Sequence, residues 1–240
     1  MGEVSEAQVA AVRRLSVIIP VYNEINSIGQ VIDQVVAIDV GVPKEIIVVD
    51  DGSTDGTGQR LAEYQARGVI AVHTSRQNFG KGTAIRVGLR YATGDVVLIQ
   101  DADLEYDVGD YPALLAPFFA GRADVVYGSR FLGSIRGMRP ANRLANYLLA
   151  RAVGLLFGQH LSDEATAYKL FRAEVLRRVQ LNCIGFEFCP EVTAKVLRAG
   201  YRIHEVPVRY QARSAAEGKK VNWRDGFTAV FTLLRYRFRD

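Results

Sequence analysis

Short apolar runs alternate with stretches of helical character through the first half of the chain. The Val- and Ile-rich runs predict β-strands at residues 15–20, 45–49, 69–74, 96–100 and 124–127. The stretches between them predict helices at residues 27–38, 57–67, 82–92 and 112–120. This alternation is typical of an α/β fold with a Rossmann-like, mostly parallel sheet and helices on both of its faces.

The second half of the chain follows a less regular pattern. Residues 139–161 carry apolar clusters interrupted by Asn146 and Arg151, which indicates an amphipathic helix. That helix fits a membrane interface or ordinary packing equally well. A further helix is predicted at residues 190–199 and a strand at residues 201–210.

Length and composition fit a single folded domain. The 240 residues are 49% hydrophobic, which is enough for a full core, and no linker or repeat divides them. We predict a flexible N-terminal segment at residues 1–14, a main domain at 15–221 and a basic amphipathic helix at 222–240. Because the N-terminus lacks the apolar core of a secretory signal and no run of about 18 apolar residues occurs, we expect a cytoplasmic protein.

Charge is unevenly distributed along the chain. The net charge is +4, and residues 198–240 contain ten Lys or Arg against four Asp or Glu. A basic C-terminal face fits a phosphate-rich ligand or an anionic membrane surface, and a merely solvated face is the alternative. Nucleic acid is not expected as a partner, because no interleaved aromatic and basic platform occurs. Two cysteines and three scattered histidines do not support a disulfide framework or a zinc site.

The conspicuous polar motifs each follow a predicted strand. They occupy residues 22–24, 50–53, 101–105 and 128–130. Ligands of parallel α/β sheets bind beyond the carboxyl ends of the strands. We therefore expect these motifs to form one site.

The acidic cluster after the fourth strand indicates a metal site. Asp101, Asp103 and Glu105 occupy every second position after an apolar run, and an extended backbone would place them on one face. Crowded carboxylates repel one another unless a cation lies between them. Oxygen ligands without His or Cys suit Mg²⁺ or Mn²⁺, which share their coordination with substrate phosphates. The cluster therefore predicts an enzyme that acts on a phosphorylated donor.

Two loops and an acidic pair complete the candidate chemistry. In residues 50–57 a carboxylate can accept hydrogen bonds from a nucleobase or ribose beside an anion-favouring helix start, with capping alone as the alternative. In residues 78–82 two glycines allow close backbone approach, and Lys81 can reach a phosphate. Asp163 and Glu164 can supply a general base or cap a helix.

Together these motifs resemble those of family 2 glycosyltransferases of the GT-A fold. The resemblance rests on residues 16–24, 49–57, 78–82, 94–105 and 128–130. Within the family, residues 101–104, 169–172 and 213–219 are similar to those of the polyprenyl-phosphate sugar synthases, typified by dolichol-phosphate mannose synthase. The resemblance covers residues 15–221, nearly the whole chain.

The resemblance implies roles for the residues that match. The metal would be held by Asp101 and Asp103, with Glu105 where relatives often carry another oxygen ligand. The nucleoside pocket would be lined by Pro20, Tyr22, Glu24 and Asp51, with Lys81 near it. The donor diphosphate or acceptor phosphate would be gripped by Arg130, Arg213 and Lys219, joined by Arg139 or Arg143.

The catalytic residues implied are Asp103, Arg130, Asp163 and Glu164. One departure from the family pattern bears on them. Relatives commonly place an acidic residue two positions after Asp163, whereas here Ala165 stands there and Glu164 precedes it. This departure weakens the assignment of a catalytic base.

The reaction implied is an inverting transfer of a hexose, with Mg²⁺ or Mn²⁺ as cofactor. The donor would be of the GDP-mannose or UDP-glucose type and the acceptor a dolichyl or undecaprenyl phosphate. The protein would then be peripheral to the cytoplasmic face of a membrane, directly or through a membrane-anchoring subunit.

Two alternatives to this reading stay open. One is a soluble enzyme that glycosylates a hydroxyl of a small molecule or polysaccharide intermediate and needs Asp163 or Glu164 as its base. The other is a non-catalytic nucleotide-sugar binding module.

Overall fold

A seven-stranded sheet organises the structure, a computed structural model that describes residues 11–213 and 223–239. The strands are β1 (Leu15–Val21), β2 (Lys44–Asp50), β3 (Ala71–Thr74), β4 (Val96–Ile99), β5 (Val125–Arg136), β6 (Lys169–Arg172) and β7 (Ile203–Gln211). The helices are α1 (Ile28–Ala37), α2 (Thr57–Ala66), α3 (Lys81–Leu89), α4 (Tyr111–Phe119), α5 (Pro140–Phe157), α6 (Ala173–Arg178), α7 (Phe188–Arg198) and α8 (Trp223–Phe238).

The strand order of the sheet is β3-β2-β1-β4-β6-β5-β7, and β6 runs antiparallel to both of its neighbours. The other described pairs are parallel. Parallel strands direct their carboxyl ends to one edge, so the loops after β1, β2, β4 and β5 meet there. Because β6 is reversed, its amino end lies at the same edge and brings the preceding Asp163 and Glu164 toward it.

Alternation along β1 explains why helices cover both faces of the sheet. Val17 and Ile19 pack into one core cluster with residues of α1, α2 and α4. Ile18 packs into the opposite cluster with residues of α3, α5, α7 and α8. Successive side chains of a strand face opposite sides, so a fully apolar strand requires cover on both. The predicted α/β fold class is confirmed.

The predicted elements agree with the structure except in the second half. The strand predicted at residues 124–127 continues in β5 as far as Arg136, and the apolar pattern predicts neither β6 nor α6. All four residues of β6 are buried, including Lys169 and Arg172. These two charged residues interrupt the apolar run by which a buried strand is normally recognised.

The two ends of the described chain are tied to the domain. Residues 1–10 of the predicted flexible segment lie outside the description, whereas the backbone N–H groups of Arg13 and Arg14 donate to the Asp95 carboxylate. The predicted C-terminal helix corresponds to α8, which packs against α5 and α7. Within residues 11–213 and 223–239, no helix has the length and apolar character needed to cross a membrane.

Candidate active site

The acidic segment after β4 bends instead of staying extended. β4 ends at Ile99, and the backbone runs through consecutive bends from Ala102 to Glu105. Asp103 Oδ1 accepts the backbone N–H of Glu105 at 3.0 Å, which closes a local turn. The prediction of three carboxylates on one face of an extended strand is therefore wrong. Each carboxylate has its own partners instead.

Asp101 is paired with Lys81 at the amino end of α3. Lys81 Nζ lies 2.5 Å from Asp101 Oδ1. Burial disfavours the charge on Lys81, but Asp101, by its charge and its hydrogen bond, together with neighbours such as Asp103, raises the pKa of the lysine overall. The structure thus brings a predicted phosphate-binding cation into contact with a predicted metal ligand.

The loop that carries Lys81 is held by Asp51. The Asp51 carboxylate accepts the backbone N–H groups of Phe79 at 2.9 Å and Gly80 at 2.6 Å. Gly80 has a φ of +98°, and a Cβ at this position would lie 2.5 Å from the carbonyl oxygen of Ile184. Only glycine fits such a left-handed, closely packed position. In this conformation Asp51, a predicted nucleoside ligand, fixes the loop beside the site.

Asp103 is linked to Glu24 by Arg213, two residues beyond the end of β7. Arg213 Nη2 lies 2.8 Å from Asp103 Oδ2, and Nη1 lies 3.1 and 3.0 Å from the two carboxylate oxygens of Glu24. Burial opposes the charge on Arg213, but Asp103 and Glu24 raise its pKa. The loops after β1 and β4 therefore meet the end of β7 at one guanidinium group.

Asp103 is a carboxyl group with a perturbed ionisation. Burial and the neighbouring charges of Asp101 and Glu105 raise the pKa of Asp103 to about 7, against the opposing charge of Arg213. Additional positive charge at this position would favour the ionised form. The site is thus electrostatically prepared for a further cation.

Glu105 is engaged in anchoring the end of β7. Its Oε1 accepts the backbone N–H of Arg213 at 2.8 Å, and its Oε2 accepts the hydroxyl hydrogen of Tyr210 at 2.9 Å. In the part of the chain that the structure describes, no group of three or more His, Cys, Asp or Glu side chains is arranged to hold a metal ion. The prediction of Glu105 as a third metal ligand is therefore not supported.

Arg130 and Asp163 form a buried ion pair. Arg130 Nε lies 2.6 Å from Asp163 Oδ2 and Nη2 lies 2.7 Å from Oδ1, while the Arg130 backbone N–H also donates to Oδ2 at 3.0 Å. The side chains are 8% and 0% exposed. Because each charge neutralises the other away from solvent, the geometry supports neither Asp163 as a base nor Arg130 as a grip on the donor diphosphate.

Glu164 is likewise unsuited to the predicted role of a base. Its side chain is fully buried, and Oε1 accepts the hydroxyl hydrogen of Thr193 at 3.2 Å. Burial raises the pKa of Glu164, although the buried ammonium group of Lys169 opposes the shift. A carboxyl group without solvent contact is poorly placed to take a proton from an acceptor at the open edge.

A cavity of about 580 Å³ opens beside the ion pair, between α5, β5 and the loop at residues 160–162. It is lined by Phe131, Arg143, Leu144, Tyr147, Ala150, Arg151, His160, Leu161 and Ser162. Arg143 is exposed at this cavity, and Arg139, just before α5, is exposed outside it. Apart from Arg130, the predicted basic residues that the structure describes therefore lie in two places, beside Asp101 and Asp103 and at α5.

The remaining predicted binding residues are Pro20, Tyr22 and Lys219. Pro20 is buried in β1, and Tyr22 is half-buried in the loop that follows. Lys219 lies outside the described residues. The implied contacts of Pro20 and Tyr22 with a nucleoside stay predictions.

Two residues that sequence reasoning missed hold the loops in place. The Ser27 hydroxyl lies 2.8 Å from Glu24 Oε2 and 2.9 Å from the Ala102 carbonyl oxygen, which links the loops after β1 and β4. Glu205 of β7 accepts the backbone N–H of Ser162. Ser27 is a typical helix-start residue, which conceals its second role, and Glu205 belongs to no motif.

Comparison with known protein families gives one broad match. A family model described as Glycosyl transferase family 2 matches residues 16–180. Among curated relatives, a dodecaprenyl-phosphate galacturonate synthase from Rhizobium johnstonii is 31% identical, over 93% of this chain and 66% of its own length. An undecaprenyl-phosphate mannosyltransferase from Micrococcus luteus is 31% identical, over 86% of this chain and 87% of its own length. A dolichol-phosphate mannosyltransferase from Pyrococcus furiosus is 27% identical, and the chain spans 63% of its length.

Solved structures share the fold. A glucosyl-3-phosphoglycerate synthase from Mycobacterium tuberculosis, in complex with Mn²⁺, uridine diphosphate and phosphoglyceric acid, has a TM-score of 0.72 and 23% identity. The match covers 95% of this chain and 80% of that one. Some curated relatives are longer than this chain, which spans about two thirds of the length of the Rhizobium and Pyrococcus proteins.

Proposed function

This chain belongs to glycosyl transferase family 2, and we propose that it transfers a hexose, with inversion, from a nucleoside-diphosphate sugar to a polyprenyl phosphate. The observation that carries the proposal is the alternation of charge at the sheet edge. There Lys81 pairs with Asp101, and Arg213 bridges Asp103 and Glu24. A nucleoside diphosphate with its divalent cation presents the complementary charges. Relatives named for dodecaprenyl, dolichol and undecaprenyl phosphates support the acceptor class.

Asp101 and Asp103 are the residues that would hold Mg²⁺ or Mn²⁺. Their oxygen-only donor set suits a hard cation, and one would offset the burial and the carboxylate repulsion that raise the pKa of Asp103. Bound there, the ion would stabilise negative charge on the departing diphosphate. The Mn²⁺ and uridine diphosphate in the solved glucosyl-3-phosphoglycerate synthase support this arrangement.

Lys81 and Arg213 would stabilise the same leaving group. Both side chains are about one fifth exposed and stand at the open edge of the sheet. Cations at fixed positions are most effective where charge develops during the reaction. We assign them to the diphosphate, and we leave GDP-mannose and UDP-glucose types open as donors.

A phosphate acceptor is favoured over a hydroxyl. A lipid phosphate is already ionised at neutral pH and needs no base to attack the anomeric carbon in line, whereas a hydroxyl does. The two residues predicted as bases, Asp163 and Glu164, are fully buried, the first paired with Arg130 and the second bonded through one oxygen to Thr193. Their burial therefore supports the polyprenyl phosphate and counts against the soluble alternative.

The α5 cavity is the place we propose for the first isoprene units of the acceptor. Its walls are largely apolar, and Arg143 at its rim suits the phosphate. Exposed apolar side chains on α5 and α8, such as Leu155 and Phe231, would hold the protein at the cytoplasmic face of a membrane. A membrane-anchoring subunit could share that role.

A transfer assay tests the proposed function. The chain is incubated with Mn²⁺, undecaprenyl or dolichyl phosphate in detergent, and each of a panel of UDP- and GDP-hexoses, and glycolipid is detected by mass spectrometry. We expect one donor to give product. Asp103→Asn should lower the rate by about a hundredfold or more, because a metal ligand and a charge partner of Arg213 are lost.

The matched control is Asp107→Asn. Asp107 lies four residues after Asp103, is exposed, and pairs with Arg209 away from the site. It should retain the wild-type rate. Absence of product from every donor, or equal rates for the two variants, would contradict the proposed function.

A further inference from the structure

Both carboxylates that would hold the metal are neutralised by cations of the protein itself. Lys81 lies against Asp101 and Arg213 against Asp103, at 2.5 and 2.8 Å. A divalent cation that binds to these oxygens must displace the internal cations or share the oxygens with them. The two internal cations are not equivalent in this respect.

Arg213 has backbone contacts that do not depend on its bond to Asp103. A single guanidinium nitrogen, Nη2, contacts Asp103, while Nη1 contacts Glu24. The Arg213 backbone is held separately, because its N–H donates to Glu105 and the preceding Ala212 N–H donates to Arg136. The side chain can therefore turn away from Asp103 while the backbone stays in place.

A guanidinium that leaves a partly buried carboxylate requires another anion. The Arg213 side chain is 19% exposed and the Asp103 side chain 11%, so water compensates poorly for the loss of the bond between them. The planar guanidinium fork matches phosphate oxygens as well as carboxylate oxygens. A donor diphosphate at this edge would thus supply the replacement partner.

We propose that the Arg213 guanidinium pairs with the Asp103 carboxylate in place of the divalent cation until a nucleoside diphosphate binds. The metal and the donor then bind cooperatively. The inference rests on the proposed function, since it assumes a nucleotide-sugar site at this edge. Without nucleotide, Arg213 competes with the ion for Asp103 and weakens its binding. With nucleotide, Arg213 turns to the diphosphate and the competition ends. By thermodynamic linkage, the ion strengthens nucleotide binding by the same factor.

The test is direct titration of Mn²⁺, followed by its electron paramagnetic resonance signal, alone and with UDP or GDP. Arg213→Gln should bind Mn²⁺ alone about tenfold more tightly than the wild type, a usual size for coupling between two ligands. The increase in Mn²⁺ affinity on adding nucleotide should shrink in the same variant. If Arg213 only binds the donor, the affinity for Mn²⁺ alone should not change in this variant.

Arg209→Gln is the matched control, because Arg209 lies on β7 and pairs with Asp107 and Asp110. It removes the same charge four residues earlier in the chain and should leave Mn²⁺ affinity unchanged. Equal tightening in both variants would reduce the effect to net charge and overturn the proposal, as would unchanged or weaker Mn²⁺ binding in Arg213→Gln. No acceptor or turnover enters the titration, so its failure is distinct from failure of the transfer assay.

Discussion

At the scale of single residues, two buried carboxyl groups with raised pKa values have opposite surroundings. Asp103 is buried among other carboxylates at the open edge and is balanced by Arg213. Glu164 is buried in the core, where Thr193 and Lys169 are its partners. The same perturbation therefore occurs at a proposed ligand site in one case and at a structural position in the other. Contact with the open edge, rather than the pKa shift, distinguishes them.

The raised pKa of Glu164 predicts a pH-dependent stability. A carboxyl group whose pKa is higher in the folded state binds more protons when folded, so the free energy of unfolding falls as pH rises from about 4 through the raised pKa. Glu164→Gln removes this term. In urea denaturation at increasing pH above about 4.5, the variant should gain stability relative to the wild type. A difference that does not vary with pH would contradict the assignment.

At the scale of elements, the Arg130–Asp163 pair joins β5 to the loop that precedes β6. The pair has two side-chain hydrogen bonds and one backbone hydrogen bond, and Glu205 of β7 holds the same loop. The pair and Glu205 thus fix the segment before the reversed strand to β5 and β7. Residues that look catalytic in sequence act here as a connection between elements.

Breaking that connection should be costly. Asp163→Asn leaves the buried Arg130 without its countercharge, and we expect a loss of about 3–5 kcal/mol in the free energy of unfolding. Glu63→Gln, which breaks an exposed pair with Arg60 on α2, is the control and should cost less than about 1 kcal/mol. Urea denaturation at one pH compares them. Similar small losses in both would show that the buried pair does not hold the elements together.

At the scale of the whole molecule, the apolar exposed side chains concentrate on α5 and α8. They include Leu144, Leu148 and Leu155 on α5, and Phe227, Phe231 and Phe238 on α8. The two helices contact each other, and the Arg237 guanidinium lies 6.0 Å from the Phe157 ring across them. The α8 helix was expected to present a basic face, but its exposed positions also carry these aromatic rings. Such a surface beside the α5 cavity would bring the site to a lipid acceptor.

Membrane docking through this surface predicts a specific loss. Leu155→Ser combined with Phe231→Ser should weaken sedimentation with phosphatidylglycerol vesicles about tenfold, because both side chains lose apolar area that would enter the interface. Phe119→Ser is the control, since Phe119 is 47% exposed at the end of α4, which packs on the opposite face of the sheet. Equal vesicle binding of both variants would contradict docking through α5 and α8.

The sequence by itself determined the local features of this protein. Apolar alternation placed β1 to β4, the start of β5 and α1 to α4, and the strand-end motifs pointed to the candidate site, because both depend on residues close together in the chain. The family resemblance added an expected role for each matching residue. Lys81, Asp101, Asp103 and Arg213 lie together in the structure, and it was the family resemblance that led us to expect Arg213 there.

Tertiary structure decided which partner each charge has. Asp163 is neutralised by Arg130 from 33 positions away, and Asp103 by Arg213 from 110 positions away. No local pattern encodes such pairs, because they depend on the reversal of β6 and on the path of β7 back to the sheet edge. In the folded chain the two predicted bases, Asp163 and Glu164, are therefore buried, and Arg213 lies where a metal ion was expected.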